Sequence, residues 1–226
     1  MTHLLDNPAW NALNTGNRNL STGNEQVKLF QEDVAPFAGF KEFSHSNFNL
    51  LYDLLPATRS VAIVTATDIE IPDNWKIVYN TKLFQMVCNN QQRFSVNTNK
   101  PVALQNSNVP AMLALTALTN PGPFYNNTIR FGNYSGIFDD NKLVALTGFR
   151  LSVGRFKELS AVCTHPGYLG KGYASTLIKH TANTILDLGC TPFLHVKTDN
   201  TNAIKLYNHL GFFTRSEMIF NIIQKK

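Results

Sequence analysis

The sequence is poor in the features that mark several common protein classes. It holds three cysteines in 226 residues: Cys88, Cys163 and Cys190. An odd count at wide spacing fits neither a disulfide framework nor a CxxC metal site. Reduced thiols in a cytoplasmic protein are the expectation. No HExxH and no cluster of His and Cys appears, so no metal is expected. No stretch approaches the roughly 20 apolar residues that cross a bilayer. The start MTHLLDNPAW also lacks the basic-then-apolar order of a signal peptide. No membrane partner is therefore expected. Charged residues make up only 15% of the chain, and the Lys and Arg residues are scattered. The net charge of +5 thus builds no basic face of the kind nucleic acids need, and no nucleic-acid partner is expected.

Apolar and aromatic residues are plentiful. Hydrophobic residues make up 43% of the chain, with 16 Phe and 7 Tyr, enough to bury a sizeable core. The length allows one large domain or two small ones. In the first hundred residues the pattern is weak. Residues 47–54 (NFNLLYDL) read as a short helix, 60–66 (SVAIVTA) as a β-branched strand, and 75–88 (WKIVYNTKLFQMVC) as one strand or two. The Asn- and Gln-rich stretch 89–108 reads as a linker. The expected division is a smaller α/β region over 1–100 and a second domain over 101–226.

From residue 109 the signal sharpens. Pro110 opens a helix that NPGP at 120–123 breaks. Residues 133–138 and 143–151 form a hairpin across DDNK, and 156–164 (FKELSAVCT) is a third strand stopped by His165-Pro166-Gly167. Residues 171–188 repeat apolar positions in steps of three and four (Ala174, Leu177, Ile178, Thr181, Ile185, Leu188), which predicts a helix closed by Gly189. A strand at 192–198, a helix at 201–210 and a strand at 212–223 follow. Antiparallel strands first and a crossover helix later make a mixed α/β (α+β) sheet.

The turn between strand 156–164 and the long helix carries the clearest chemistry. Gly170 and Gly172 flank Lys171 where the helix begins. Glycines let a backbone approach a ligand, and a helix start offers free N–H groups with the positive end of the dipole. The combination suits a pyrophosphate. GKG has the spacing of neither a P-loop nor G-x-G-x-x-G.

The run 162–174 resembles the acyl-CoA-binding motif of the GNAT acetyltransferase superfamily, Gln/Arg-x-x-Gly-x-Gly/Ala, with Leu169, Gly172 and Ala174 at its positions. Leu169 departs from the usual Gln or Arg, and Lys171 stands nearby as a charge. Asn200, Ala203, Leu206, Tyr207, Gly211 and Phe212 resemble the family's second signature, N-x-x-A-x-x-L-Y-x-x-x-G-F. Residues 109–226 are further similar to the branch that includes glycine N-acyltransferase-like proteins, in which a Glu precedes the VCTHP-type segment; here that is Glu158.

The resemblance implies a GNAT fold in the C-terminal half, with strands 156–164 and 192–198 parting to admit a pantetheine arm. It implies acetyl-CoA as co-substrate, with direct transfer in a ternary complex to a primary amine of a small molecule or amino acid. It places cofactor contacts at Val162, Cys163, Thr164, Leu169, Gly170, Lys171, Gly172, Tyr173, Ala174, Ser175, Asn200 and Tyr207. It makes Glu158 the expected general base, directly or through a water, and Tyr207 the expected acid or donor to the sulfur. A carboxylate half-buried on a strand would have a raised pKa.

Other readings stand beside these. Asn200 is explained equally well as a helix cap. Cys163 reads as a buried thiol before it reads as a nucleophile. His165 and His195 are alternative bases, read first as structural. Phe124, Tyr125 and Arg130 follow the NPGP break and are placed on the acceptor side by chain position. For residues 1–100 three roles stay open: a degenerate GNAT-like half, a wall of the acceptor site, or a homodimer contact. A CoA-binding protein without turnover and a protein N-acetyltransferase are the competing functions.

Overall fold

The computed structural model describes residues 3–89, 93–96 and 101–226. Part of the expected linker at 89–108 lies outside the described residues. The N-terminal segment gives helix α1 (Pro8–Asn14), opened by Pro8 at its first position, and a small antiparallel sheet of β1 (Ser21–Gly23), β2 (Val27–Phe30) and β3 (Ala38–Phe40). The sequence reading missed both. Helix α2 (His45–Leu54) is where 47–54 predicted one, with the Ser44 hydroxyl accepting from the Asn47 N–H at 3.3 Å as its cap. Two longer-range strands follow, β4 (Val61–Thr65) and β5 (Trp75–Cys88), the latter a single strand.

The second half holds β6 (Val102–Ala103), helix α3 (Val109–Thr119), β7 (Ser135–Asp139), β8 (Lys142–Val153), β9 (Phe156–Thr164), helix α4 (Tyr173–Asp187), β10 (Thr191–Lys197), helix α5 (Thr201–His209) and β11 (Phe212–Lys225). From α3 to β11 the expected elements are all present, with ends shifted by a few residues at most. Leu188, expected on the buried face of α4, lies beyond its end and is exposed.

Eight strands form one sheet in the order β4-β11-β5-β10-β9-β8-β7-β6. Strands β4 and β5 lie before residue 100, so the sheet crosses the division expected there. Strand β5 is inserted between β10 and β11 and pairs antiparallel with both. Helices α4 and α5 cover one face over Phe149, Leu159, Leu194 and Phe212; α1 and α3 cover the other over Leu146, Leu151, Phe193 and Met218. This is the layered arrangement of a mixed sheet that buries both faces. The small sheet and α2 close over Trp75, Val61 and Ile223 at one end.

Among the described residues, one strand pair of the large sheet is parallel, and it is short. β9 and β10 pair from Phe156↔Thr191 to Glu158↔Phe193. Beyond that point β10 runs on with β5 from Phe193↔Val87 to Lys197↔Leu83, while β9 stays with β8. The sheet therefore splits into two wings after Glu158 and Phe193. The split opens the site, as the expectation of parting strands required.

Candidate functional site

The split forms a cleft of about 1050 Å³, at the upper end of what small-molecule sites occupy. One wall is the separated part of β9, Leu159 to Thr164; the other carries His195, Val196 and Lys197 of β10 and the Asn200, Ala203 and Tyr207 side of α5. The turn Pro121–Pro123, held by Asn120 in the left-handed conformation (φ 47°), borders it.

Two irregularities in the β8–β9 pairing shape this wall. Between Leu146↔Cys163 and Gly148↔Ser160, β9 has one residue more than β8. The extra residue is absorbed at Ala161, whose φ of 53° is unusual for a residue with a side chain. Between Phe149↔Leu159 and Ser152↔Lys157 the excess lies on β8, where Arg150 and Leu151 both face Glu158. That second bulge aims two donors at one carboxylate. Arg150 donates from Nε at 2.8 Å to Oε2 and from Nη2 at 2.5 Å to Oε1, and the Leu151 N–H reaches Oε2 at 3.2 Å. Bulges at such places re-aim side chains.

Glu158 differs from its expectation. It is fully buried rather than half-buried, and it lies beneath the wall instead of among the residues that line the cleft. Burial alone would raise its pKa, but the charge and hydrogen bonds of Arg150, and then the neighbouring His195, hold it down to about 2. The expected raised pKa is thus overturned, and a carboxylate so held is a poor proton acceptor. Arg150 and His195 do line the cleft.

His195 sits between Glu158 and Gln85. Its Nδ1 lies 2.7 Å from Glu158 Oε1, and an ionised carboxylate only accepts, so Nδ1 carries the proton. Its Nε2 lies 2.9 Å from Gln85 Nε2. The Gln85 amide is oriented by two other bonds: Arg215 Nε donates to its Oε1 at 2.6 Å, and its Nε2 donates to the Leu5 carbonyl at 2.9 Å. Gln85 therefore presents N–H to His195, which fixes the Nδ1–H tautomer. Arg215 closes the row on Asp6 at 2.6 Å. One rung of side chains crosses the sheet from β8 through β9, β10 and β5 to β11 and ends in the N-terminal segment. As an alternative base His195 is locked at both nitrogens.

The remaining candidates fall into place around the cleft. Val162, Cys163 and Thr164 line it, and the buried Thr164 hydroxyl has no hydrogen-bond partner among the described residues. The Cys163 thiol is pushed up to about 11, chiefly by burial, which speaks for the buried-thiol reading. Leu169 and Ala174 also line the cleft, while Gly170, Lys171, Gly172, Tyr173 and Ser175 are adjacent in the chain but not among its lining residues. Gly170 (φ 76°) and Gly172 (φ 77°) adopt left-handed backbone, the reason glycine stands there. Gly172 caps α4 with no side-chain bond, so the first N–H groups of the helix, at Tyr173, Ala174 and Ser175, have no capping partner. Lys171 Nζ sits 4.6 Å over the Tyr168 ring, which stacks on Tyr173.

Asn200 caps α5, accepting from the Ala203 N–H at 3.2 Å, and also lines the cleft, so both of its readings have support. Tyr207 is buried on α5 and reaches the cleft; burial pushes its phenol up to about 12. Of the acceptor-side guesses, Tyr125 lines the cleft, while Phe124 packs edge-on against Tyr134 and Arg130 bonds Gln31. His165 stays on the surface turn, accepting from the Gly167 N–H at 3.1 Å, outside the cleft wall. The sequence reading missed Arg150. Its signal was an Arg inside the apolar run KLVALTGFRLSV, eight positions before a Glu in the next strand.

Among the described residues no helix is long and apolar enough to cross a membrane, and no group of His, Cys, Asp and Glu is arranged to hold a metal.

Comparison with known proteins agrees with this geometry. Residues 134–220 match the family model described as FR47-like protein. A solved structure from Novosphingobium aromaticivorans, described as an acetyltransferase of the GNAT family, is 30% identical over 100% of both chains, with a TM-score of 0.92. A GCN5-related N-acetyltransferase from Kribbella flavida, at 12% identity, shares the fold over 95% of each chain (TM-score 0.64). An acetyltransferase of the GNAT family from Colwellia psychrerythraea, at 14%, covers 88% of this chain and is itself covered to 80% (TM-score 0.54). Comparison with curated protein sequences finds no match. With the split sheet, the uncapped glycine-led helix and a full-length relative at 30% identity in agreement, this chain belongs to the GNAT family of acetyltransferases.

Proposed function

We propose that the chain is an acyl-CoA-dependent N-acyltransferase that uses acetyl-CoA and acylates a primary amine of a small molecule or an amino acid. The observation that supports this best is the single cleft running from an uncapped helix start to a polar rung at the apex of the split sheet. The residues present fit the co-substrate. The free N–H groups of Tyr173, Ala174 and Ser175, with the Gly170–Gly172 turn and Lys171, suit a pyrophosphate. The exposed backbone of Val162 to Thr164 suits the amides of a pantetheine arm, and the unpartnered Thr164 hydroxyl wants a polar contact in that channel. The co-substrate supplies an activated acyl group.

What the chain's own residues do follows from their surroundings. Asn200 fixes the start of α5 and offers its remaining amide capacity to the arm. Tyr207, held protonated, donates a hydrogen bond toward the sulfur as the carbon–sulfur bond breaks. The amine must shed a proton as its nitrogen bonds the acyl carbon, and the departing sulfur gains one. In this reading Glu158 takes no proton. It is a positioning residue that holds the Arg150 guanidinium and the His195 tautomer. The amine enters as the free base or yields its proton to water in the cleft. Placing both reactants along one wall supplies much of the rate.

The placement of Glu158 before the VCTHP segment also supports kinship with the glycine N-acyltransferase-like branch. The cytoplasm suits acetyl-CoA chemistry, as the reduced cysteines do. The test is thiol release from acetyl-CoA over a panel of amino acids and amines. Turnover on an amine supports the reading; acetyl-CoA binding with no turnover on any acceptor favours a binding protein instead.

A further inference from the structure

Arg150 lies in the cleft wall with its guanidinium only partly used. The face is covered by Phe37, 5.1 Å from Cζ to the ring centroid. The side edge, Nε with one Nη2 hydrogen, is taken by Glu158. The end edge, Nη1 with the other Nη2 hydrogen, has no hydrogen-bond partner among the described residues, and the side chain is 17% exposed. A guanidinium has two such forks, and each matches a carboxylate. Glu158 cannot turn to fill the second, because Leu151 and His195 hold it from the other sides.

The surroundings say what else the occupant carries. Beyond Phe37 the cleft wall continues as aromatic rings. Phe220 stands edge-on to Phe37 at 6.4 Å, and Tyr79 edge-on to Phe220 at 6.2 Å. Val64 and Ile222 complete this limb. Arg150 itself sits opposite Glu158, the last residue of β9 to pair with β10, so its free fork is at the apex of the split.

We infer that the end fork of Arg150 binds the carboxylate of the acceptor, and that the acceptor is an α-amino acid with an aromatic or large apolar side chain. This rests on the N-acyltransferase reading above. In an α-amino acid the nitrogen is one carbon from the carboxyl group. Anchoring the carboxylate at the apex therefore holds the amine there too, while the side chain lies along Phe37, Phe220 and Tyr79.

The test separates binding from turnover. Calorimetry on the full chain with CoA present compares N-acetylphenylalanine with its carboxamide. The wild type is expected to bind the acid about 10- to 100-fold more tightly, the worth of a charge-assisted pair. Arg150→Met alone strands a buried Glu158 charge, so the pair Arg150→Met with Glu158→Gln is used beside Arg150→Lys. The pair is expected to abolish the preference for the acid, so that the folded variant binds acid and carboxamide alike. Arg150→Lys keeps the charge but not the fork and is expected to lose most of it. Equal binding of acid and carboxamide by the wild type, or an unchanged preference in the folded pair variant, overturns the inference. Turnover assays with phenylalanine and phenylalaninamide report on the parent reading. Preserved acid preference in binding with no turnover would sink that reading and spare the carboxylate site.

Discussion

The apex and the mouth of the cleft are built by opposite means. At the apex, side chains do the work: Arg150, Glu158, His195, Gln85 and Arg215 are buried or nearly so and tied to one another by named bonds. At the mouth the backbone does it, through two left-handed glycines and a helix start left uncapped. Leu169 there is 67% exposed and has an apolar side chain that can offer no hydrogen bond, although it stands in a motif position. A site made of side chains is sensitive to charge and shape, whereas one made of backbone is sensitive to φ and indifferent to most side chains. A mouth built of backbone is compatible with Leu169 at its motif position.

The strongest challenge to this contrast is at the apex. Glu158→Gln removes one partner of a buried pair and is expected to cost about 3–5 kcal/mol, read as a lowered Tm. A loss near zero would mean that the rung is not held by charge. The same pair predicts an acid limb. Because the folded pKa of Glu158, about 2, lies below the ordinary 4.5, its stabilisation is complete above that ordinary value and drains away as pH falls toward 2. Unfolding followed from pH 6 to pH 2 should show this limb in the wild type and a flatter one in the Gln variant.

Between the two ends lies Tyr207. Tyr207→Phe keeps the ring that packs on Phe212 and removes only the hydroxyl. It should lower kcat by about 10- to 100-fold with acetyl-CoA affinity kept, the range expected for one hydrogen bond to a charged group. A variant with full kcat would return Tyr207 to the core.

At the mouth the effects are smaller and of another kind. Gly172→Ala meets no atom within 4 Å, so any cost comes from φ alone, about 1–2 kcal/mol, and should appear as weaker acetyl-CoA binding. Leu169→Arg is the mildest change. It should tighten acetyl-CoA binding by about 2- to 5-fold at low salt, an advantage lost at high salt as expected of an exposed charge. A salt-independent gain would point to packing instead.

Much of the second half was legible because its signals are local. Pro110, the DDNK turn, the Gly170–Gly172 turn and the period of α4 each mark an element within a few residues. The N-terminal half resisted for the opposite reason. Helix α1 is seven residues long and β1 to β3 are three or four each, too short for a period to show. The site was legible where residues sit in motifs and hidden where two strands cooperate. Nothing in alanine announces the positive φ of Ala161, since that bulge exists only in the pairing of β8 with β9. Glu158 was picked out, but its state was misread. The half-buried, raised-pKa picture left out an arginine in the facing strand, and a bulge aims that arginine at the carboxylate.

The insertion of β5 between β10 and β11 bears on how this protein is made. Val87 finds Phe193 and Trp75 finds Lys225, partners more than one hundred positions later in the chain. During synthesis β5 leaves the ribosome long before either neighbour exists, with Ile77, Val78 and Tyr79 in a strand fit for pairing with other chains. The central sheet can close only when the last strand arrives, so its assembly is a late, long-range event, slow by the logic of contact order. Chaperone dependence and aggregation on refolding should therefore centre on β5, well away from the acyl-transfer chemistry in sequence yet part of the wall that confines it.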